Sequence, residues 1–532
     1  MKRLFYTLLF FLPCMLIACG GSDDTPDGDN NPPVVAPPCE EPVDSRLLYN
    51  GIRLPEQWPP VRSSSSELEK GMSPFYLSDK PSVINISVGR QLFVDNFLIE
   101  STNLKRTFYY PEYYSGNPIL TPEQDWEKTG TKGAAFAAPF SDGVWYDEKE
   151  GKYKMWYMAG GGSYATSGAG VTCYAESTDG IHWTKPTLSV VAGTNIVDYN
   201  SERDASVIWL DKQESNASKR YKMFLVARES GKWRYHYKTS PDGKVWRAAV
   251  QSEPVADRST VYKNPFRNVW VYSMRHNVRV DANKLVRARD YKNTDPEAGT
   301  KKAEALLSAF WFGPWANEQH HTDYPNIAPA IYNQDVTPYE SIMLGFFSVW
   351  QGPENDVCAS DNVIKRNQVM VGYSRDGYSW FREDMNPFHA VNTTTSDAWN
   401  QGNLQSVAGA PLIVGDKLYF YLSGRRLRGT QEITTTGLAM LRRDGFASMK
   451  GTGELQTSLL KFDGSYFFVN ANVTGEMKVE LLDPNNKVIE GFSKDECKAF
   501  KGDNVKAKIE WTGNASLASL KNKQLKVKFY ID

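Results

Sequence analysis

From about residue 130 to residue 450, apolar and polar residues alternate with the period of two that half-buried strands require, and helical periodicity is scarce. Lys152-Tyr153-Lys154-Met155-Trp156-Tyr157-Met158 alternates in this way, and so does Arg220-Tyr221-Lys222-Met223-Phe224-Leu225-Val226. Stretches 268–274, 341–346 and 417–422 occupy the same place in their own segments, which makes five aromatic-rich strands, one per segment. After residue 453 the pattern changes. Stretches 459–468, 477–482, 505–511 and 525–531 read as strands separated by turn groups such as Asp483-Pro484-Asn485-Asn486, which predicts a second, smaller all-β unit.

A heptapeptide marks the rhythm of the larger region. Ser177-Thr178-Asp179-Gly180-Ile181-His182-Trp183 is echoed by Ser240-Pro241-Asp242-Gly243-Lys244-Val245-Trp246 and by Ser374-Arg375-Asp376-Gly377-Tyr378-Ser379-Trp380, with a decayed copy at Arg443-Asp444-Gly445. Steps between the Asp positions are 63, 134 and 68 residues, so the middle step spans two units and one copy has eroded. Five repeats of a four-stranded unit predict a five-bladed β-propeller. In each copy Asp caps a turn and Gly supplies positive φ, while the Trp is expected between neighbouring sheets; this is a structural device, not a catalytic one.

In a propeller the first strand of each sheet lines the central axis. Ahead of each aromatic strand lies a segment with a polar start: Ser141-Asp142-Gly143 in unit one, Arg203-Asp204-Ala205 in unit two, Asp257-Arg258-Ser259 in unit three, Thr322-Asp323-Tyr324 in unit four, and Trp399-Asn400-Gln401-Gly402-Asn403 in unit five. That register predicts that Asp142, Asp204, Asp257 and Asp323 converge near the axis, where carboxylates perturb one another and become acid/base candidates.

The chain has 532 residues and a formal net charge of −1, with no basic stripe, so nucleic acid is excluded as an expected partner. Lys2 and Arg3 precede an apolar run over 4–17 that reads as a signal-peptide core. Leu16-Ile17-Ala18-Cys19 resembles a bacterial lipobox, which implies a signal over 1–19 and lipidation of Cys19. Gly20-Gly21-Ser22-Asp23-Asp24 looks like the export tag of surface lipoproteins of Bacteroidetes type, so the expected location is the outer membrane, lipid-anchored and facing the cell exterior. The Asp-, Asn- and Pro-rich stretch 20–45 reads as a disordered tether, followed by a propeller with an N-terminal wrapping segment over 46–453 and a C-terminal β-sandwich over 454–532. Cys39, Cys173, Cys358 and Cys497 lie far apart without CxxC spacing; no zinc site is expected, and one or two disulfides stay open.

Asn50-Gly51-Ile52 with Trp58-Pro59-Pro60, the stretch Gln91-Leu92-Phe93-Val94-Asp95-Asn96-Phe97-Leu98-Ile99-Glu100, and Asn117-Pro118-Ile119-Leu120 with Asp125-Trp126-Glu127 complete a resemblance. From about residue 47 onward the chain resembles the five-bladed propeller glycosidases of families 32, 43 and 68, and within them glycosidase lipoproteins of bacteria. The resemblance implies hydrolysis of a poly- or oligosaccharide through axial carboxylates. Arg203-Asp204 matches the family-32 pair that stabilises the transition state, and Asp142 falls at or near the first-blade carboxylate, although the Trp-Met-Asn-Asp-Pro run is absent. Asp257 and Asp323 would join them. No Glu sits in a recognisable general-acid motif; Glu340 and Glu318 are the candidates. Trp126, Trp311, Trp315 and Trp350 lie in loop-like stretches and are expected to stack on sugar rings. Arabinanase-type members hold an axial cation with a His nearby. His320-His321 beside Asp323 therefore leaves His320 a substrate-binding candidate and an axial calcium open, although His236, His276 and this pair lack metal-ligand spacing and no cofactor is expected. Two other readings stand beside the hydrolase: a non-catalytic glycan-binding propeller, and a sialidase-like enzyme, since the heptapeptide resembles the Asp-box but is one residue shorter before its Gly and five units fall short of six blades.

Overall fold

The computed structural model describes residues 44–532 apart from 65–67, 69, 129–133, 166–169, 282–283, 300–307, 396, 430 and 514–515. The lipobox, Cys19 and most of the tether fall outside the described residues.

Strand pairing resolves the larger region into five successive antiparallel units of four strands. In unit one, Ala135–Ala138 and Val144–Asp147 both pair with Lys152–Ala159, which pairs with Gly170–Ser177, and the start of Ile196–Leu210 forms the outer strand. The second half of Ile196–Leu210 is the first strand of unit two, followed by Tyr221–Glu229, Lys232–Ser240 and Arg247–Pro254. Unit three runs Thr260–Asn264, Val269–Asp281, Lys284–Asn293, Ala309–Phe312. Unit four runs Ala330–Tyr339, Ile342–Gly352, Arg366–Ser374, with bridges to Phe381 and His389 as its outer edge. Unit five runs Asn403–Val407 with Leu412–Val414, then Lys417–Arg428 and Gln431–Arg442.

The ring is closed by the N-terminal segment. Glu112–Tyr113 and Leu120 pair with the third strand of unit five, and that strand meets Ala135 and Phe136 of unit one in parallel. Closure removes the exposed edges that an open sheet would offer.

All five aromatic strands are second strands, as the alternation predicts. Each ends up sealed between neighbouring sheets: Trp156, Tyr157, Phe224, Tyr272, Phe346, Phe347 and Phe420 are almost wholly excluded from solvent. The heptapeptides sit where the third strand ends. In each full copy the Ser hydroxyl accepts the Gly N–H, and one Asp oxygen accepts the two backbone N–H groups that follow the Gly. The Gly has φ of 74° to 78°. Its carbonyl is clasped by the preceding unit: Tyr421 Oη donates to Gly180, Trp156 Nε1 to Gly243 and Tyr262 Oη to Gly377, at 2.6 to 2.8 Å. A side chain there would collide with the clasping unit; a Cβ on Gly243 would lie 2.3 Å from Trp156. The decayed copy keeps the clasp in another form, Tyr339 Oη donating to Asp444 at 2.6 Å. Of the three heptapeptide tryptophans only Trp380 is fully buried; Trp183 and Trp246 are half-buried.

The C-terminal residues build one connected seven-stranded sheet that includes Gly453–Thr457, Phe467–Leu482, Phe500–Ile509 and Gln524–Ile531. Two of its strands come from the other end of the chain. Ile84–Asn85 pairs in parallel with Leu460–Lys461, and Ile99–Thr102 pairs with Gly453–Thr457. Leu48, Ile52, Tyr76, Phe97 and Leu98 share a core with Val479, Leu481, Trp511 and Val527. The N-terminal segment thus both closes the ring and completes the tail sheet. Cys173, Cys358 and Cys497 are free thiols, so no disulfide joins the described residues. No helix among them is long and apolar enough to cross a membrane.

Candidate active site on the ring axis

The first strands of units one and five are broken in the same way. A kink at 139–143 carries Phe140 at φ 42° and Gly143 at φ 127°; its counterpart carries Ser406 and Gly409, both at 68°. The kinks turn Ser141, Asp142 and Ser406 inward. Ser141 Oγ meets Ser406 Oγ at 3.3 Å, and the Asn333 Nδ2 group of unit four shares its two hydrogens among Ser141 at 3.1 Å, Ser406 at 2.9 Å and Asp335 Oδ2 at 2.9 Å. Val407 N–H donates to the same Asp335 oxygen at 3.1 Å. Thr260 of unit three donates to the Gln334 carbonyl. First strands of all five units therefore meet, and an axial cavity between them is lined by Ser141, Trp145, Ile208, Thr260, Asp335 and Val407.

Two arginines organise the carboxylates. Arg203 grips Asp142 through both oxygens, at 2.6 and 3.0 Å, and donates to Thr172 Oγ1 at 2.6 Å. Asp142 is fully buried, and burial, opposed by Arg203, pushes its carboxyl up to about 6. Arg258 grips Asp204: its side chain lies 2.9 Å from Oδ1 and donates to Oδ2 at 3.1 Å, while its backbone N–H donates to Oδ1 at 3.1 Å. Asp204 is the more open of the two, with 18% of its side chain exposed against none for Asp142. Asp335 is buried beside Ser141 and Asn333, and desolvation pushes it up to about 6 as well. Arg258 acts electrostatically on Asp204, Asp142 and Asp335 together. Behind them, Arg289 is fully buried without a carboxylate partner among the described residues; it is satisfied by Ser273 Oγ and the Arg258 carbonyl, and burial lowers it to about 10.

The mouth above this network is aromatic and cationic. Tyr332 is surrounded by Arg287, Lys365 and Arg258, which lie 4.7, 5.6 and 5.8 Å from its ring centre. Despite burial these cations bring its phenol down to about 8. On the side of units four and five the Arg425–Glu432 pair is joined by uncharged polar groups. Both amide atoms of Asn367 and Gln405, and the hydroxyls of Thr434 and Thr435, are buried without a hydrogen-bond partner among the described residues.

Asp142, Arg203 and Asp204 are thus brought together, but the arginine pairs across units: Arg203 holds Asp142, not its neighbour Asp204. Asp257 lies at the same end, half-exposed and paired with Arg275. Several expectations are corrected. Asp323 is exposed in the loop before unit four, whose first strand is Ala330–Tyr339, so the axial acid of that unit is Asp335. His320 is exposed in the same loop, its Nδ1 2.9 Å from the Pro325 carbonyl. Glu340 occupies the turn after that strand, about 16 Å of extended chain beyond Asp335, where it accepts the Arg90 N–H and faces Arg443 at 3.5 Å. Glu318 is buried in a two-oxygen pair with Arg382, at 2.6 and 3.1 Å. Trp311 is a buried outer-strand residue bonded to the Tyr378 carbonyl, and Trp315 packs under Arg382 and against Phe347. Trp126 caps unit one, its Nε1 bonded to Asn195 at 2.9 Å. Of the four tryptophans only Trp350 stands at the mouth; it lies in a strand, packed with Tyr332. Among the described residues no group of three or more His, Cys, Asp or Glu side chains is placed to hold a metal ion.

Sequence reasoning missed Asp335, Asn333, Tyr332, Arg287 and Lys365. A signal existed: Ile331-Tyr332-Asn333-Gln334-Asp335-Val336 lies immediately before the aromatic strand of unit four, as the other first strands do.

No protein-family profile matches the chain, and no curated protein matches it. Solved structures do. An N-acetylgalactosamine deacetylase from F. plautii shares 10% identity at a TM-score of 0.38, over 61% of this chain and 96% of the other. A glycosyl hydrolase from Bacteroides ovatus shares 13% at 0.36, over 63% and 94%. A fructofuranosidase from Schwanniomyces occidentalis shares 11% at 0.33, over 78% and 96%. At these values the likeness carries no chemistry; that must come from the axial side chains.

Proposed function

We propose that the axis is the active site of a glycoside hydrolase acting on a poly- or oligosaccharide. The observation that supports it most is the division of labour between two carboxyls of one network: Asp204 at the open mouth and Asp335 buried below it. Glycosidic cleavage needs a carboxylic acid to protonate the leaving oxygen and a carboxylate to attack the anomeric carbon or activate water. Asp335, raised by burial, holds a proton at mildly acidic pH and is the general acid. Asp204, chelated by Arg258, is the nucleophile or base. Asp142 has both oxygens occupied by Arg203 and fixes the guanidinium that steadies the charge developing at the sugar. The unpartnered amides and hydroxyls of units four and five are suited to sugar hydroxyls, because a buried polar atom without a partner gains most from a ligand that supplies one. The lipobox-like start supports an exported chain tethered to the membrane by a lipid on Cys19.

One observation favours a non-catalytic glycan-binding ring instead: Arg203 and Arg258 between them occupy every oxygen of Asp142 and Asp204. The two readings separate on a panel of polysaccharides incubated with the parent, Asp204→Asn and Asp335→Asn, with product read chromatographically and sugar binding by calorimetry. Product from the parent alone, with binding kept in both variants, supports the hydrolase. Binding by all three with product from none overturns it.

A further inference from the structure

The mouth holds more positive charge than its carboxylates balance. Arg258, Arg275, Arg287, Lys365 and Arg366 face Asp204, Asp257 and Asp323, and the Arg425–Glu432 pair adds one charge of each sign: six cations and four acids. Asp204 is taken by Arg258 and Asp257 by Arg275. Arg287 and Lys365 have no carboxylate within ion-pair distance among the described residues. The guanidinium carbon of Arg287 lies over the rings of Tyr332 and Trp350, 4.7 Å and 5.9 Å from their centres. Among the described residues Lys365 reaches only Asn355 Oδ1, at 3.2 Å, and a single hydroxyl, Thr322 Oγ1 at 3.3 Å, serves Arg366, whose Nε is buried without a hydrogen-bond partner. A guanidinium stacked on aromatic faces keeps its N–H edges free, and those edges match a carboxylate or sulfate in two-point geometry. Arg287 further depresses Arg275, which burial already holds below the ordinary arginine range. Like charges this close, in a half-buried mouth, are relieved by an anion.

We infer that the substrate carries an anionic group, a uronate carboxylate or a sulfate ester, seated between Arg287 and Lys365 at the rim of Tyr332 and Trp350. This rests on the axial mouth being a glycan site and names the class of glycan it takes. The sugar's charge would lie on units three and four, and its hydroxyls would face the uncharged amides of units four and five.

The test is calorimetric titration of the mature chain with three probes: an oligogalacturonate, a sulfated galactan oligosaccharide and a neutral galactan oligosaccharide of equal length. Arg287→Gln and Lys365→Gln serve as variants, with thermal midpoints confirming that they fold. The inference expects one acidic probe to bind, and its affinity to fall about tenfold or more in each variant. The acidic probe that binds tells carboxylate from sulfate. Equal affinity for the neutral probe, acidic binding that neither folded variant weakens, or binding of inorganic phosphate alone with no acidic sugar bound, overturns it. Failure of the hydrolase reading looks different: tight, variant-sensitive acidic binding without product sinks catalysis and leaves this inference standing. Cleavage of neutral glycans by variants and parent alike does the reverse.

Discussion

Two sets of aspartates in this ring show how one residue type is used in opposite ways. Asp179, Asp242 and Asp376, in the repeated turns, are satisfied by backbone N–H groups two and three residues away. Asp142 and Asp204, on the axis, are satisfied by groups 61 and 54 residues away, and Asp335 by Val407, 72 residues away, as well as by its near neighbour Asn333. A locally satisfied carboxylate fixes a turn and carries no chemistry. A carboxylate held by distant partners, in a network with unpartnered polar atoms, is positioned for something outside the chain. The difference lies in where the partners come from, and it divides function from architecture more sharply than burial does, since Asp376 and Asp142 are equally buried.

That contrast breaks most visibly at Asp204. Asp204→Asn should lower turnover by about a thousandfold, the range expected for losing a catalytic carboxylate, while sugar affinity and thermal midpoint stay close to the parent; steady-state kinetics beside calorimetry decides. Asp376→Ala should do the opposite. It strands the buried N–H groups of Tyr378 and Ser379, at a cost of about 2–5 kcal/mol in stability, with specific activity of the folded fraction unchanged; denaturant unfolding measures it.

The pH dependence gives a smaller effect. If Asp335 is the general acid, kcat/KM should fall as pH rises through about 6, approaching tenfold per unit, and Asp335→Asn should remove that limb. The stability sign follows from the same shift. A carboxyl raised from 3.8 to about 6 binds its proton more tightly in the folded chain. The stabilisation from Asp335 and Asp142 is therefore complete below about pH 4 and is lost as pH rises through 6. Thermal midpoints across that window should show it, and Asp335→Asn should flatten the curve. The smallest effect belongs to Asp179, whose side chain is 46% exposed. Asp179→Ala should cost only about 1 kcal/mol, because water can replace what the carboxylate gave.

The same contrast explains what was readable in the chain. Local features were legible: aromatic alternation marks all five second strands, and the heptapeptide marks the third-strand ends of units one, two and four, because each is set by residues adjacent in sequence. The first strands of units one to three were legible too, since Asp142, Asp204 and Asp257 precede apolar runs. Unit four was misplaced because its axial strand buries Asn333, Gln334 and Asp335, a polar triplet that reads as a loop unless four other strands surround it. Nothing local marks a two-residue pairing such as Ile84–Asn85 with Leu460–Lys461, so the joining of the chain's two ends in one sheet was invisible. Trp311 and Trp315 read as loop residues for a similar reason: the groups that bury them, Tyr378 and Arg382, lie 67 residues further along.

The central claim is that a sugar sits on the ring axis between Asp204 and Asp335. A crystal structure of Asp204→Asn soaked with an oligosaccharide that the parent cleaves tests it directly. The account predicts a sugar ring at the mouth with its glycosidic oxygen within hydrogen-bond reach of Asp335. Density for the sugar on the outer faces or the tail sheet, with the axis empty, would contradict it.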